Sequence, residues 1–151
     1  MDKTSLAELI KTLEPATEIK EGKQFIEVTI AAPLLYSVMK RLRDKEEASF
    51  DYLMCLTGVD YGQDLGVVYH LHSTKHKHSV VVKARTSDRQ HPNLDSVSDI
   101  WKTSEFLERE VFDLLGIRFN NHPDLRRLFL DSSWGFPLRK DYVDDINIVS
   151  K

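Results

Sequence analysis

Two neighbouring segments of the chain, 65–73 and 78–86, alternate apolar residues with other residues. This period of two is typical of β-strands, in which successive side chains point to opposite faces. In the first segment, one face would hold Val67, Tyr69 and Leu71. A third apolar segment, 49–59, precedes these two, and the separators are short and polar. We therefore expect three strands in an antiparallel meander.

Segments with helical spacing surround the meander. Apolar residues recur at three and four positions in the first segment, which predicts a helix from Thr4 or Ser5 to Leu13. A second helix would begin at Pro33 and end near Lys45, after two short strands at 17–20 and 24–30. Residues 94–101 predict a short helical piece, and residues 105–115 a third helix. The predicted core stripe of that helix is Leu107, Val111, Leu114 and Leu115.

This order of elements predicts a two-layer α+β fold. Its helices would pack on a mixed or antiparallel sheet of about five strands. A chain of 151 residues with 41% apolar content suits a single domain with one core. We expect a platform over residues 1–116 and an extended C-terminal tail over 117–151.

Composition excludes several classes of function. The net charge of −3 gives no field that would attract nucleic acid or an anionic membrane surface. No apolar run is long enough for a signal peptide or a membrane span, so we expect a soluble chain that meets a membrane only through partners. The single cysteine, Cys55, cannot form an intramolecular disulfide or hold an iron–sulfur cluster alone. Its apolar neighbours predict a buried thiol.

The third helix carries charges that need partners. Arg109 could reach Glu105 and Asp113 at four-residue spacing, and Glu105 and Glu108 would face the positive end of the helix dipole. Glu110 lies at the edge of the apolar stripe, so its carboxylate would be partly desolvated and require a cation or hydrogen-bond donors. Downstream basic residues of this chain or a partner could supply that cation.

After Gly116 the sequence shows no regular period but is rich in arginine and aromatic residues. Residues 117–142 contain five aromatics: Phe119, Phe129, Trp134, Phe136 and Tyr142. Arginine and aromatic residues are enriched where one protein anchors on another. The segment could therefore dock on a partner, wrap the sheet of its own domain, or do both along different parts.

The same region resembles a known family. The sequence runs Glu108-Arg109-Glu110, then Asp113-Leu114-Leu115-Gly116-Ile117, then Asn121-His122-Pro123-Asp124-Leu125-Arg126-Arg127. It closes with Gly135-Phe136-Pro137-Leu138-Arg139-Lys140-Asp141-Tyr142. These motifs resemble the 30-kDa subunit family of NADH–quinone oxidoreductase, the respiratory complex I, in which this component is also called the C subunit. The match is sharp in the last third of the chain and weaker before it.

The resemblance implies a non-catalytic subunit without a cofactor of its own. Such a subunit lies in the peripheral arm on the cytoplasmic side of the membrane and docks the large quinone-site subunit and the iron–sulfur neighbours. Iron–sulfur clusters, flavin and quinone would then belong to partner subunits. The positions that the motifs and the tail mark for structural ion pairs or partner binding are Glu108, Arg109, Glu110, Asp113, His122, Pro123, Arg126, Arg127, Trp134, Arg139, Lys140 and Asp141.

Three alternatives remain from the sequence. Related subunits occur in energy-converting membrane-bound hydrogenases, so the electron donor is not determined. A small enzyme could use His122 as an acid or base beside Glu110. A metal could bind at the predicted hairpin that carries His70, His72, His76 and His78, although Lys75 and Lys77 would place cations beside it.

Overall fold

A computed structural model describes residues 2–143 of the chain. Over that part the protein is an α+β structure, as predicted. The α-helices are α1 (Lys3–Leu13), α2 (Leu35–Asp44) and α3 (Ser104–Leu115). The strands are β1 (Glu18–Glu21), β2 (Ile26–Ile30), β3 (Tyr52–Asp60), β4 (Leu65–Ser73), β5 (His78–Thr86), β6 (Asn93–Asp95) and β7 (Arg118–Asn120).

The main sheet is mixed. Its five strands in the described residues follow the order β1-β2-β5-β4-β3. The meander β3-β4-β5 is antiparallel, as the alternation predicts, and β1 pairs with β2 in the same sense. The exception is β2, which runs parallel to β5 with Val28 opposite Val82. The helix α2 lies in the chain between β2 and the meander, where a crossover between parallel strands needs one.

One face of the sheet carries the core. Val67, Tyr69 and Leu71 of β4 are all fully buried, while the intervening residues are partly exposed. The helices close this face with residues such as Ile10 of α1, Val38 of α2 and Val111 of α3. The alternation therefore predicted correctly which side chains of β4 share a face, and the structure shows that this face is the buried one.

Helix starts differ from the prediction in detail. The carboxylate of Asp2, and neither Thr4 nor Ser5, caps α1 by accepting the backbone N–H of Ser5 at 2.8 Å. Pro33 lies in a short 3-10 turn, Ala32–Leu34, and α2 begins after it. Both differences move an end by only a few residues, which leaves the apolar stripes unchanged.

A short strand and turns replace a predicted helical piece. Residues 94–101 do not form the expected helical piece, because β6 pairs in parallel with β7 and only turns follow it. The strand β7 also extends the ordered platform past Gly116, since Phe119 lies in the core. The division into residues 1–116 and 117–151 stays a prediction, but a cut after Gly116 would remove a core side chain. Residues 144–151 lie outside the described part.

Cys55 is exposed, and the expectation of a buried thiol is wrong. Its strand, β3, is an edge of the sheet, and its register against β4 shifts between Leu53 and Cys55. A bulge of this kind breaks strict alternation, so residues of an apolar run can turn to solvent.

The contact between β3 and α3 depends on Gly58. A Cβ there would overlap Leu115 Cδ1 and lie 2.9 Å from Val111 Cγ1. The helix can therefore approach the strand only because residue 58 has no side chain.

We predict that Gly58→Ala lowers the free energy of unfolding by about 1–3 kcal/mol through overpacking. Urea denaturation measures the change. Thr57→Val, at the neighbouring exposed position, is the control and should change stability by less than about 0.5 kcal/mol. A Gly58→Ala protein as stable as the control would show that α3 does not pack this closely on β3.

Candidate functional site

The motif region is built on α3 and the segment that follows it. Gly116 ends the helix in a left-handed conformation (φ 77°), and its N–H donates to the carbonyl of Phe112. Val111 and Leu115 are buried as predicted, but Leu107 and Leu114 are only half-buried. The buried surface of α3 includes three charged residues instead: Glu108, Arg109 and Asp113.

Asp113 is the centre of this region, and its side chain is fully buried. Its carboxylate accepts the backbone N–H groups of Phe129 at 2.7 Å and Leu130 at 3.1 Å. Arg127 adds an ion pair at 3.1 Å. Burial alone would raise the pKa of Asp113, but these three donors outweigh it and hold the pKa below its usual value. The carboxylate thereby fixes the chain that follows β7 against α3; we call residues 121–143 the returning segment.

Arg127 and Arg109 complete this attachment. Arg127 also donates to the carbonyls of Trp134 and Gly135. Arg109 is buried and donates from Nε to the carbonyl of Arg126 at 3.1 Å and from Nη2 to that of Arg127 at 2.9 Å. The predicted ion pairs of Arg109 within the helix are therefore wrong, because its guanidinium binds the backbone of the following segment.

Glu108 was expected in the first turn of the helix, but it lies just beyond that turn and is fully buried. Its carboxylate accepts hydrogen bonds from Ser96 Oγ at 2.7 Å and from the backbone N–H of Val97 at 3.1 Å. Burial, the largest cause, raises the pKa of Glu108 to about 7, although both hydrogen bonds lower it. Glu108 therefore ties α3 to the chain that follows β6.

The closing motif contacts the end of β3. Arg139 donates from Nε to the carbonyl of Leu115 at 2.6 Å, and the N–H of Lys140 donates to Asp60 at 2.9 Å. Asp60 also accepts hydrogen bonds from both Nη atoms of Arg89, at 2.7 and 2.9 Å. Arg89 lies 3.4 Å from Asp141. The Arg89 guanidinium holds the pKa of Asp60 well below its usual range.

The remaining predicted residues lie nearer the surface. Half-buried His122 donates from Nε2 to the carbonyl of Glu105 at 2.9 Å and accepts the N–H of Asp124 on Nδ1 at 3.0 Å, which fits a neutral ring. Pro123 and Arg126 are exposed, and Trp134 is half-buried. Their roles in partner binding stay predictions.

Glu110 differs from its charged neighbours. Within residues 2–143 it has neither a hydrogen bond nor an ion pair, so the downstream basic residues of this part of the chain do not supply the expected cation. It borders a shallow hollow of about 60 Å3 that is lined by Leu56 of β3, Leu114 of α3 and Leu138 of the returning segment. A half-buried carboxylate beside apolar side chains remains available to a partner.

Two large apolar side chains are exposed on this side of the protein. Phe106 is 60% exposed and Leu138 is 61% exposed. Phe106, Glu110 and Leu114 recur every four residues along one side of α3. We call the surface formed by Phe106, Glu110, Leu114 and Leu138 the α3 face. Sequence reasoning missed Phe106 and Leu138 as surface residues, although the spacing of four was a usable signal.

The geometry gives no support to the metal and enzyme alternatives. His72 contacts Ser79 Oγ, His76 contacts the carbonyl of Glu46, and His78 contacts that of Ala48. In the part of the chain that the structure describes, no group of three or more His, Cys, Asp or Glu residues could hold a metal ion. His122 binds a backbone carbonyl, and Glu110 is not among its hydrogen-bond partners. No helix in the same residues is long and apolar enough to cross a bilayer.

Comparison with known proteins supports the resemblance. A profile of the family described as "Respiratory-chain NADH dehydrogenase, 30 Kd subunit" matches residues 28–145. The chain belongs to this family. Among relatives, the C subunit of NADH-quinone oxidoreductase from Moorella thermoacetica is 39% identical, with 88% of this chain and 90% of the relative aligned.

Longer relatives and a solved structure extend the comparison. The C/D subunit of NADH-quinone oxidoreductase from Phocaeicola vulgatus is 52% identical over 80% of this chain, which spans only 23% of that relative's length. A chain from the archaeal membrane-bound sulfane sulfur reductase complex superposes with a TM-score of 0.80, covering 93% of this chain and 85% of its own. At 22% identity, that likeness shows the fold alone.

In this 30-kDa-family chain, we predict that Asp113→Asn destabilises the protein by about 2–4 kcal/mol, because it removes a buried charge from Arg127. Chemical denaturation measures the loss. Asp124→Asn is the control, since Asp124 pairs with Arg126 at a comparable 2.9 Å but both side chains are more than 60% exposed. The control should cost less than about 1 kcal/mol. Similar losses in both variants would contradict a buried attachment at Asp113.

A second prediction concerns pH. Because the folded protein raises the pKa of Glu108 from 4.5 to about 7, it binds this proton more tightly than the unfolded chain does. Stability from this group is therefore lost as the pH rises through that interval. Between about pH 5 and pH 8, the wild type should lose about 2–3 kcal/mol more than Glu108→Gln. Denaturation of both proteins across this range measures the free energy of unfolding against pH, and the difference between the two proteins removes the contribution of the other titrating groups. Parallel curves for the two proteins would refute the buried carboxyl.

Proposed function

We propose that this chain is a non-catalytic structural subunit in the peripheral arm of a proton-translocating NADH–quinone oxidoreductase. The observation that carries the proposal is the α3 face, which leaves apolar side chains and one unpaired carboxylate at the surface of a family member. In this role the chain supplies contacts, while electron transfer from NADH to quinone takes place in the assembled complex.

The α3 face has the composition of a docking surface. Phe106 and Leu138 offer large apolar side chains that gain free energy when water is displaced from them. Glu110 lies beside them without a partner in residues 2–143. A cation on the partner would make this contact specific, since leaving a carboxylate unpaired in an interface is costly. The proposed partner surface is thus apolar with a lysine or arginine at its centre.

The fused relatives support a particular neighbour. In the relatives named as a C/D subunit, a segment similar to this chain forms 23% of a longer protein. Covalent fusion keeps two modules together in fixed number, which favours direct contact between the separate subunits as well. We therefore propose that the chain docks the large quinone-site subunit, and secondarily its iron–sulfur neighbours, on the cytoplasmic side of the membrane.

Cofactors are assigned to those partners and not to this chain. The single Cys55 cannot ligate a cluster by itself. In the alternative, this chain would be the equivalent subunit of an energy-converting membrane-bound hydrogenase, with the same structural role. Identities of 39% and 52% to proteins named as NADH-quinone oxidoreductase subunits favour the NADH-dependent complex.

We predict that the double variant Phe106→Ser/Leu138→Ser lowers the amount of this chain that co-purifies with the large subunit by about tenfold or more, because the interface loses its apolar anchors. The measurement is the molar ratio of the two subunits in complex isolated through a tag on the large subunit. Melting of the free chain should be nearly unchanged, since both side chains are exposed.

The control is Tyr52→Ser/Met54→Ser, which removes two similarly exposed apolar side chains (52% and 49%). Both lie at the start of β3 and do not belong to the α3 face. The control should leave the ratio near that of the wild type. Full retention of the Phe106/Leu138 variant, or an equal loss in the control, would remove the α3 face from the interface.

A further inference from the structure

A second surface, away from the α3 face, forms a cleft of about 490 Å3 between the chain around β6 and β7 and the returning segment. Its walls carry Arg118 and Arg139, with Phe112 and Phe136 between them. Among residues 2–143, no aspartate or glutamate lines it. An arginine-lined cleft without a carboxylate is unexpected in a chain of net charge −3.

Arg118 is the free cation of this cleft. The strand β7 places its side chain at the surface, opposite the inward-facing Phe119. Its guanidinium carbon lies 5.2 Å from the ring centre of Phe112. In the described part of the chain, no hydrogen-bond acceptor or acidic side chain meets it. The guanidinium is thus oriented by a ring but keeps its donors available.

Arg139 is the fixed cation. Its Nη1 donates to the carbonyl of Arg89 at 2.9 Å, its Nε donates to that of Leu115, and its guanidinium lies 5.1 Å from the Phe136 ring centre. Burial lowers the pKa of Arg139, although the charges of Asp141 and Asp60 raise it. Asp60 and Asp141 act on Arg139 through their charge, but their ion pairs are with Arg89.

The loop at the mouth of the cleft does not neutralise these charges. Asp88 accepts the backbone N–H groups of Gln90 and His91, at 3.0 and 2.9 Å, and so stabilises its own turn. His91 also lines the cleft. The arginines in the described lining, Arg118 and Arg139, give the cleft a positive character, and its aromatic walls cover one side of a bound group.

We propose that this cleft binds an acidic segment of a partner subunit, with one aspartate or glutamate carboxylate between Arg118 and Arg139 and an adjacent apolar residue against Phe112 and Phe136. Charge complementarity carries the choice of occupant: within residues 2–143 no carboxylate lines the cleft beside its two arginines, and arginine binds carboxylates through paired N–H donors. The inference rests on the proposed function for the existence of a partner, but it concerns a different surface.

Chemical cross-linking in the assembled complex tests the occupant. Arg118→Lys keeps the charge and introduces an amine that a carbodiimide can join to a carboxylate at direct contact. Arg85→Lys is the matched control, because Arg85 is also exposed and also stacked on a ring, with its guanidinium carbon 3.7 Å from the centre of Tyr61. Mass spectrometry of the digested complex should find residue 118, and not residue 85, joined to an aspartate or glutamate of another subunit.

Three results would overturn the proposal: no cross-link at residue 118, a cross-link only to carboxylates of this chain, or equal cross-linking from both positions. Charge reversal gives a second readout. Arg118→Glu should lower co-purification with the complex by about tenfold relative to Arg85→Glu, because it places like charges together. Equal retention of these two variants would reject the proposal for the cleft and leave the proposed function standing. A wild-type chain that failed to co-purify with the complex would reject the proposed function.

Discussion

The buried carboxylate of Asp113 is the contact on which the C-terminal third of the structure depends. A fully buried charge is unfavourable unless it is saturated with donors, and Asp113 obtains them from Phe129, Leu130 and Arg127. All three donors belong to the segment that returns along α3. Satisfying one carboxylate therefore requires the segment to lie in one position, and Arg109 reinforces that position from the preceding turn of the helix.

This arrangement divides the charged residues of the motif into two groups. Arg109, Asp113 and Arg127 form their hydrogen bonds with one another or with the nearby backbone. Glu110 and Arg118 point away from that network and have no such partners in the described residues. The first group shapes the returning segment; the second lies beside exposed apolar or aromatic side chains. The two proposed docking surfaces are thus consequences of how the segment is held.

Local periodicity was enough to predict the meander and which of its side chains share a face, because the alternation in β4 and β5 reflects the two faces of a strand directly. It could not predict the burial of Glu108 and Asp113, since the donors of Asp113 lie 14 to 17 residues further along the chain. The pairing of β6 with β7 was also missed, because each strand has only three residues and carries little pattern of its own. Cys55 was misplaced because an apolar run says nothing about an edge strand with a bulge. The motif positions were found by family resemblance, but their contacts required the structure.

Amide hydrogen exchange of Phe129 and Leu130 in the isolated full-length chain is the sharpest test of this attachment. If Asp113 holds the segment on α3, both amides should exchange about 100-fold or more slowly than those of an unstructured peptide. Both should lose that protection in Asp113→Asn. Exchange of these two amides at the unstructured rate in the wild-type chain would contradict the attachment, because the segment would then be free of α3 before any partner binds.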